Sequence, residues 1–160
     1  MDRFAALYQS KGLRSEIYLA VRAVGAANIL DFDARVQAVA LFDAQPESND
    51  LAALNKRVGN ILEKTEGATK PEVDSHLLVE NAEQALYAAI NSQQKTCLPL
   101  FASSDYQKGL QSLTSLKEPI NAFFDSVMVN ADDEQLKQNR LALLAQLRAL
   151  FTSVADISLL

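Results

Sequence analysis

Between Leu136 and Val154 apolar residues return every three or four positions, and no long stretch of the chain alternates apolar and polar residues in twos. On a helical wheel of about 100° per residue, Leu136, Leu143, Leu144, Leu147, Leu150, Phe151 and Val154 share one broad side. A strand would scatter those residues over both faces, so the segment reads as a helix with a wide buried side. The same period recurs through the chain, whose 160 residues include only five glycines and four prolines. The pattern predicts an all-α helical bundle, with residues 1–160 long enough for one domain with a real core.

Caps and breakers place the helices. The first is expected over 2–10, ending at Gly12, and the second over 15–24, with Ser15 as a candidate N-cap and Gly25 as its stop. A third covers 31–44 before Pro46, and a fourth runs from Asn49 or Asp50 to Lys64. The stretch "TEGATKPEVDSH" is the one substantial loop. A helix follows over 78–95, extending at most to Pro99, and another from after "SSD" to about Leu116. In "PINAFFDSVMV", Ile120, Phe123, Phe124, Val127 and Met128 have the spacing of one buried stripe. The last helix starts after "NADD", with Asp132 or Asp133 as N-cap, and runs to about Val154.

Arg140 falls in the middle of that last helix's apolar side. A buried guanidinium left alone would cost about 3–5 kcal/mol, so a carboxylate or several carbonyls must meet it. Asp125, on the preceding helix, and the "NADD" connection are the near candidates. A structural ion pair of Arg140 with Asp125, orienting the last two helices, is the expectation, and a ligand contact is the alternative.

Little points to catalysis. There is no phosphate-binding loop, no dinucleotide-binding glycine pattern and no paired-histidine metal motif, so no catalytic and no metal residues are named. His76 is the only histidine and lies in the loop, where a surface role is expected. Cys97, the single cysteine, reads as a half-buried structural thiol and fits a reducing cytoplasm. No apolar run is long enough for a membrane span, and the N-terminus lacks the pattern of a secretory signal. The net charge of −5 argues against nucleic-acid binding, DNA included. That charge is uneven: residues 1–70 hold nine of the 15 basic and nine of the 20 acidic side chains, leaving six and eleven for the remainder.

Several stretches carry a resemblance. Phe123-Phe124-Asp125-x-Val127-Met128-Val129, Asn139-Arg140-Leu141-x-Leu143-Leu144 and the closing Val154-Ala155-Asp156-Ile157-Ser158 resemble the C-terminus of the bacterial glycyl-tRNA synthetase beta subunit. "DFDARVQAVALF", with Ala34-Arg35-Val36, is similar to the helical anticodon-binding domain of DALR type, and "NKRVGNILEK", from Asn55 to Lys64, resembles a segment of the same beta subunit. The resemblance implies a DALR-type helical bundle that binds the anticodon arm of a glycine-accepting tRNA and supports glycyl-tRNA aminoacylation. It implies a C-terminal fragment of a longer beta subunit, partnered by the rest of that subunit and by an alpha subunit. The parent enzyme would use ATP and magnesium with glycine, and this domain would hold no cofactor.

Unstacked anticodon bases are read by stacking and edge hydrogen bonds, with cations on the backbone. On the fourth helix Lys56, Arg57, Asn60 and Lys64 lie within an arc of about 100°, opposite Leu51, Leu54, Val58, Ile61 and Leu62. This strip is the first RNA-binding candidate, against a merely solvated face softened by Glu63. Tyr18 and Arg22 form the second, an i,i+4 pair able to stack a base, against simple packing of the ring. Arg35 is expected in a core or interhelical salt bridge. A rival function is a helical interaction module docking on the other synthetase subunits.

Overall fold

Among the described residues, helices carry most of the chain: α1 (Arg3–Ser10), α2 (Ser15–Val24), α3 (Ile29–Asp43), α4 (Ser48–Lys64), α5 (Asn81–Ala102), α6 (Tyr106–Leu113), α7 (Lys117–Ser126) and α8 (Glu134–Phe151). The structure is a computed structural model that describes residues 3–65 and 72–160. Asp2, which the sequence places in the first helix, and residues 66–71 of the expected loop lie outside the described residues. No strand occurs among the described residues, as the period predicts.

Helix α8 buries more of its length than any neighbour, because its middle is apolar on nearly every side. Leu141 and Ala142 are as inaccessible as Leu143 and Leu144, and Leu147, Leu150 and Phe151 continue the buried run. A helix surrounded in this way is an interior helix. Helices α4 and α5 pack directly on it, and α7 joins both α4 and α5. Its N-cap is Asp133, whose carboxylate accepts from the N–H groups of Gln135 at 2.9 Å and Leu136 at 3.3 Å.

Other ends differ from expectation. Arg14, not Ser15, occupies the N-cap of α2 and makes no side-chain cap bond. Helix α3 starts earlier than expected because the Asn28 side chain accepts from the Asp31 N–H at 2.9 Å. Helix α5 runs through Pro99 to Ala102, forfeiting the one bond that a proline nitrogen cannot donate. Met128 is 72% exposed, so it leaves the predicted stripe. The cause is local: α7 stops at Ser126 and Val127 is extended, which breaks the helical period before Met128.

The chain closes on itself after α8. Val154 and Ala155 are fully buried, and the Asp156 N–H donates to the Ala20 carbonyl of α2 at 2.8 Å. A 3-10 turn, Ile157–Leu159, then packs between α2 and α4. Arg35 of α3 locks this closure by donating to the carbonyls of Ser153 and Val154, each at 2.9 Å.

Candidate nucleic-acid interface

Helix α4 buries Leu51, Ala52, Asn55 and Val58, which orients the rest of its side chains. Lys56, Arg57, Asn60 and Lys64 are consequently all exposed. The helix is held from behind by its core face, so the polar strip stands on a rigid support.

Neighbouring elements divide this strip into two flanks. On one, the Arg57 guanidinium lies 4.1 Å from the centre of the Phe124 ring on α7, a cation–π contact that orients the charge without neutralising it. Asp50 and Lys117 bridge the same two helices at 2.8 Å. On the other flank, Lys56 and Asn60 line an open depression of about 890 Å³ together with Glu63, Arg148 of α8 and Ser158 of the C-terminal turn. Lys64 stands in the last turn of α4, where a cation suits the negative end of the helix dipole.

Arg148 owes its place to Gly59. A Cβ built on Gly59 would lie 2.3 Å from Arg148 Nη1, so the guanidinium rests on bare helix backbone. Among the ion pairs of the described residues, neither Arg148 nor Lys56 takes part. The lining therefore holds two cations, an amide and the Ser158 hydroxyl, which donates to Asp156 Oδ1 at 2.5 Å, with Glu63 as its one carboxylate. Sequence reasoning missed Arg148 and Ser158, which lie far from α4 along the chain. Gly59, a glycine inside an otherwise good helix, was the one available signal.

The second sequence candidate separates. Tyr18 is 4% exposed and packs with Tyr8 and Phe32, at ring-centre distances of 6.2 and 5.4 Å. Its ring is part of the core, and it also lines a shallow pocket of about 250 Å³ with Ile29 and Phe32. Arg22 is exposed in the last turn of α2. The two do not form a stacking pair.

Arg140 is buried as expected, but its carboxylate is Glu83 of α5 and not Asp125. Arg140 Nη2 lies 2.9 Å from Glu83 Oε1, and Nη1 donates to the Met128 carbonyl at 2.6 Å. Asp125 is exposed on α7, whereas Glu83 has no exposure at all. Glu83 Oε1 also accepts from the Glu80 N–H at 3.2 Å, so one oxygen caps α5 and anchors α8. Arg140 thus ties together α5, α8 and the connection after α7.

Arg35 sits in a comparable hub that joins α3, α6 and the segment after α8. Its Nε bonds Asp31 at 3.0 Å and its guanidinium lies 4.7 Å from the Tyr106 ring centre. Burial pushes the Asp31 carboxyl upward, but hydrogen bonds from Tyr106, the Ala27 N–H and Arg35, together with the Arg35 charge, outweigh it. The net effect holds Asp31 below the usual carboxylate range.

The remaining nucleophile and ligand candidates lie apart from this strip in sequence. Cys97 is fully buried, more so than expected, and burial pushes its thiol up and away from the reactive thiolate. His76 is exposed. Among the described residues no group of three or more histidine, cysteine, aspartate or glutamate side chains is placed to hold a metal ion. No described helix is long and apolar enough to cross a membrane.

Comparison with known proteins adds to this geometry. The family described as "DALR anticodon binding domain" matches residues 52–157, which include most of α4, the whole of α8 and part of the C-terminal turn. The "Glycine--tRNA ligase beta subunit" of Shewanella sp. (strain W3-18-1) is 52% identical over 160 residues, covering 100% of this chain and 23% of that protein. The proteins of the same name from Pseudomonas aeruginosa (strain LESB58) and Ectopseudomonas mendocina (strain ymp) are 50% and 48% identical over 159 residues, again covering 99% of this chain and 23% of theirs. The chain thus spans about a quarter of the length of these relatives.

Proposed function

Because this chain belongs to the DALR anticodon binding domain family, we propose that it holds the anticodon arm of a glycine-accepting tRNA against the exposed face of α4. One observation carries the reading: Lys56, Arg57, Asn60 and Lys64 are all presented to solvent by a helix whose other face is core. Cations there meet phosphates and the amide meets a base edge, which is how unstacked loop nucleotides are bound. The names of the relatives support placing the domain in the beta subunit of a glycine–tRNA ligase, and the proposal sets that enzyme in the cytoplasm. In that setting aminoacylation with ATP, magnesium and glycine belongs to other parts of the enzyme, and the alpha subunit is the partner. The overall charge of −5 fits weak binding by this domain alone, strengthened by other linked surfaces.

The test is a titration of the chain with the anticodon stem-loop of a glycine tRNA. Lys56→Ala with Arg57→Ala should weaken binding and shallow its salt dependence by roughly one to two units of slope. Asn60→Ala should reduce discrimination between bases more than overall affinity. Unchanged binding by the double variant at equal salt would mean that the strip is merely solvated.

A second reading has its own observation. Ile29 and Leu30, at the start of α3, are 58% and 80% exposed, with Leu19 and Val24 of α2 also exposed. Such an apolar face suits docking on the remainder of the synthetase. Docking through it would respond little to salt, whereas RNA binding falls steeply as salt rises.

A further inference from the structure

Arg148 is the unexplained charge of the interface. It is half-buried at the end of the interior helix, rests on the Gly59 backbone, and joins none of the ion pairs among the described residues. An arginine serving only the fold would have a carboxylate or carbonyls, as Arg140 and Arg35 do. Its guanidinium has five N–H donors in a planar fork suited to the oxygens of a phosphate.

The surroundings point to the class of anion. Lys56 shares the depression, so two cations converge on it. Asn60 and Ser158 add neutral polar groups, and Leu159, 44% exposed, adds an apolar shelf. A volume of about 890 Å³ is ample for more than a free phosphate ion. Glu63 on the rim opposes a compact polyanion but can accept from an amino group on a base edge.

We propose that this depression seats one unstacked nucleotide of the RNA loop, its phosphate between Lys56 and Arg148 and its base over Leu159 with the edge toward Asn60. The proposal rests on the anticodon-arm reading and adds to it a residue from outside α4. It also gives Gly59 a purpose, since an interior glycine weakens a helix and only glycine leaves the seat open. Arg57, turned to the Phe124 flank, is then free to contact a different part of the backbone.

The test uses the full chain and a labelled hairpin RNA with an unpaired loop, beside a blunt duplex of the same stem and inorganic phosphate alone. Arg148→Gln should weaken hairpin binding by roughly tenfold, as expected for one charged hydrogen-bonded contact. It should lower the salt slope by about 0.7 and leave duplex binding unchanged. Arg148→Lys should recover part of the loss. Gly59→Ala should reproduce it with Arg148 still present, and circular dichroism confirms that each variant is folded. If Arg148→Gln and Gly59→Ala bind like the parent while Lys56→Ala with Arg57→Ala does not, the anticodon-arm reading stands and the nucleotide seat falls. If all variants bind like the parent, or the parent shows no loop-dependent binding up to millimolar RNA, both fall. If phosphate alone shifts the amide signals of Gly59 and Ser158 as fully as the hairpin does, the depression is a plain anion site and the proposal is overturned.

Discussion

Arg140 and Glu83, 57 positions apart in the chain, meet at 2.9 Å with both side chains withdrawn from solvent. Each keeps one buried atom with no hydrogen-bond partner, Arg140 Nε and Glu83 Oε2. The pair therefore carries much of its desolvation cost uncompensated, yet it fixes how α5 and α8 face each other. Removing one partner strands the other charge in the core. Arg140→Ala should lose about 3–5 kcal/mol in denaturant unfolding, and Arg140→Met with Glu83→Leu should lose much less. Equal losses for the single and double variants would show that the charges do not act as a pair.

Asp31 should make stability sensitive to acid. Its carboxyl is held below the ordinary range, so its contribution is present above the unfolded-state pKa and is lost as pH falls through the folded-state value. Asp31→Asn should cost about 2 kcal/mol near neutrality, where Tyr106, Arg35 and the Ala27 N–H all use the carboxylate. The difference between variant and parent melting temperatures should shrink steadily toward strongly acid pH. A difference that stays constant with pH would contradict the assignment.

Tyr8 gives the opposite sign. Burial, then the hydrogen bond to Asp33 at 2.9 Å and that residue's charge, push its hydroxyl up to about 12. The stabilisation is complete below the unfolded-state value of about 10 and disappears as pH rises through about 12. In an alkaline absorbance titration, Tyr8→Phe should remove a phenol that ionises late. Loss of an early-ionising group instead would place Tyr8 in water.

Gly109 of α6 lies directly under the Phe101 ring of α5. A Cβ there would lie 2.1 Å from a ring carbon of Phe101. Gly109→Ala should destabilise by about 1–3 kcal/mol, and adding Phe101→Leu should recover part of that, since the two sites share one space. Strictly additive effects in unfolding measurements would mean that the ring simply swings aside.

The Phe124 contact predicts a split between stability and binding. Phe124→Leu keeps an apolar side chain but frees the Arg57 guanidinium that lies 4.1 Å from the ring. Stability should fall by about 1 kcal/mol, while affinity for the stem-loop RNA falls further than Lys108→Ala on α6 would cause. RNA affinity unaffected by Phe124→Leu would show that the orientation of Arg57 does not matter.

What could be read from the sequence follows physical range. The buried side of α8 and its Asp133 cap were legible because period and capping are local properties. The α4 strip was legible for the same reason, since one helix sets both its core face and its exposed face. The partner of Arg140 was not: nearness in sequence favoured Asp125, while Glu83 looks like an ordinary first-turn acid suited to a helix dipole. Met128 misled because a helical stripe says nothing of where the helix stops. Tyr18 shares its spacing with Arg22 whether it faces water or Phe32, and only the packing of α3 decides. Arg148 and Ser158 reach the candidate site through the closing turn, a relationship that no window of sequence contains.

That closing turn also governs the order of events during synthesis. Arg35 waits for carbonyls 118 and 119 residues downstream, and Ala20 waits for Asp156. Until residues 153–156 are in place, α2 and α3 have an open side and Arg35 lacks the carbonyl half of its contacts. The helices up to α3 form quickly because their contacts are local, but their final placement depends on contacts 118 or more positions apart. A chain truncated before Ser153 should therefore be cleaved readily by proteases, and one that includes residues 153–160 should resist them.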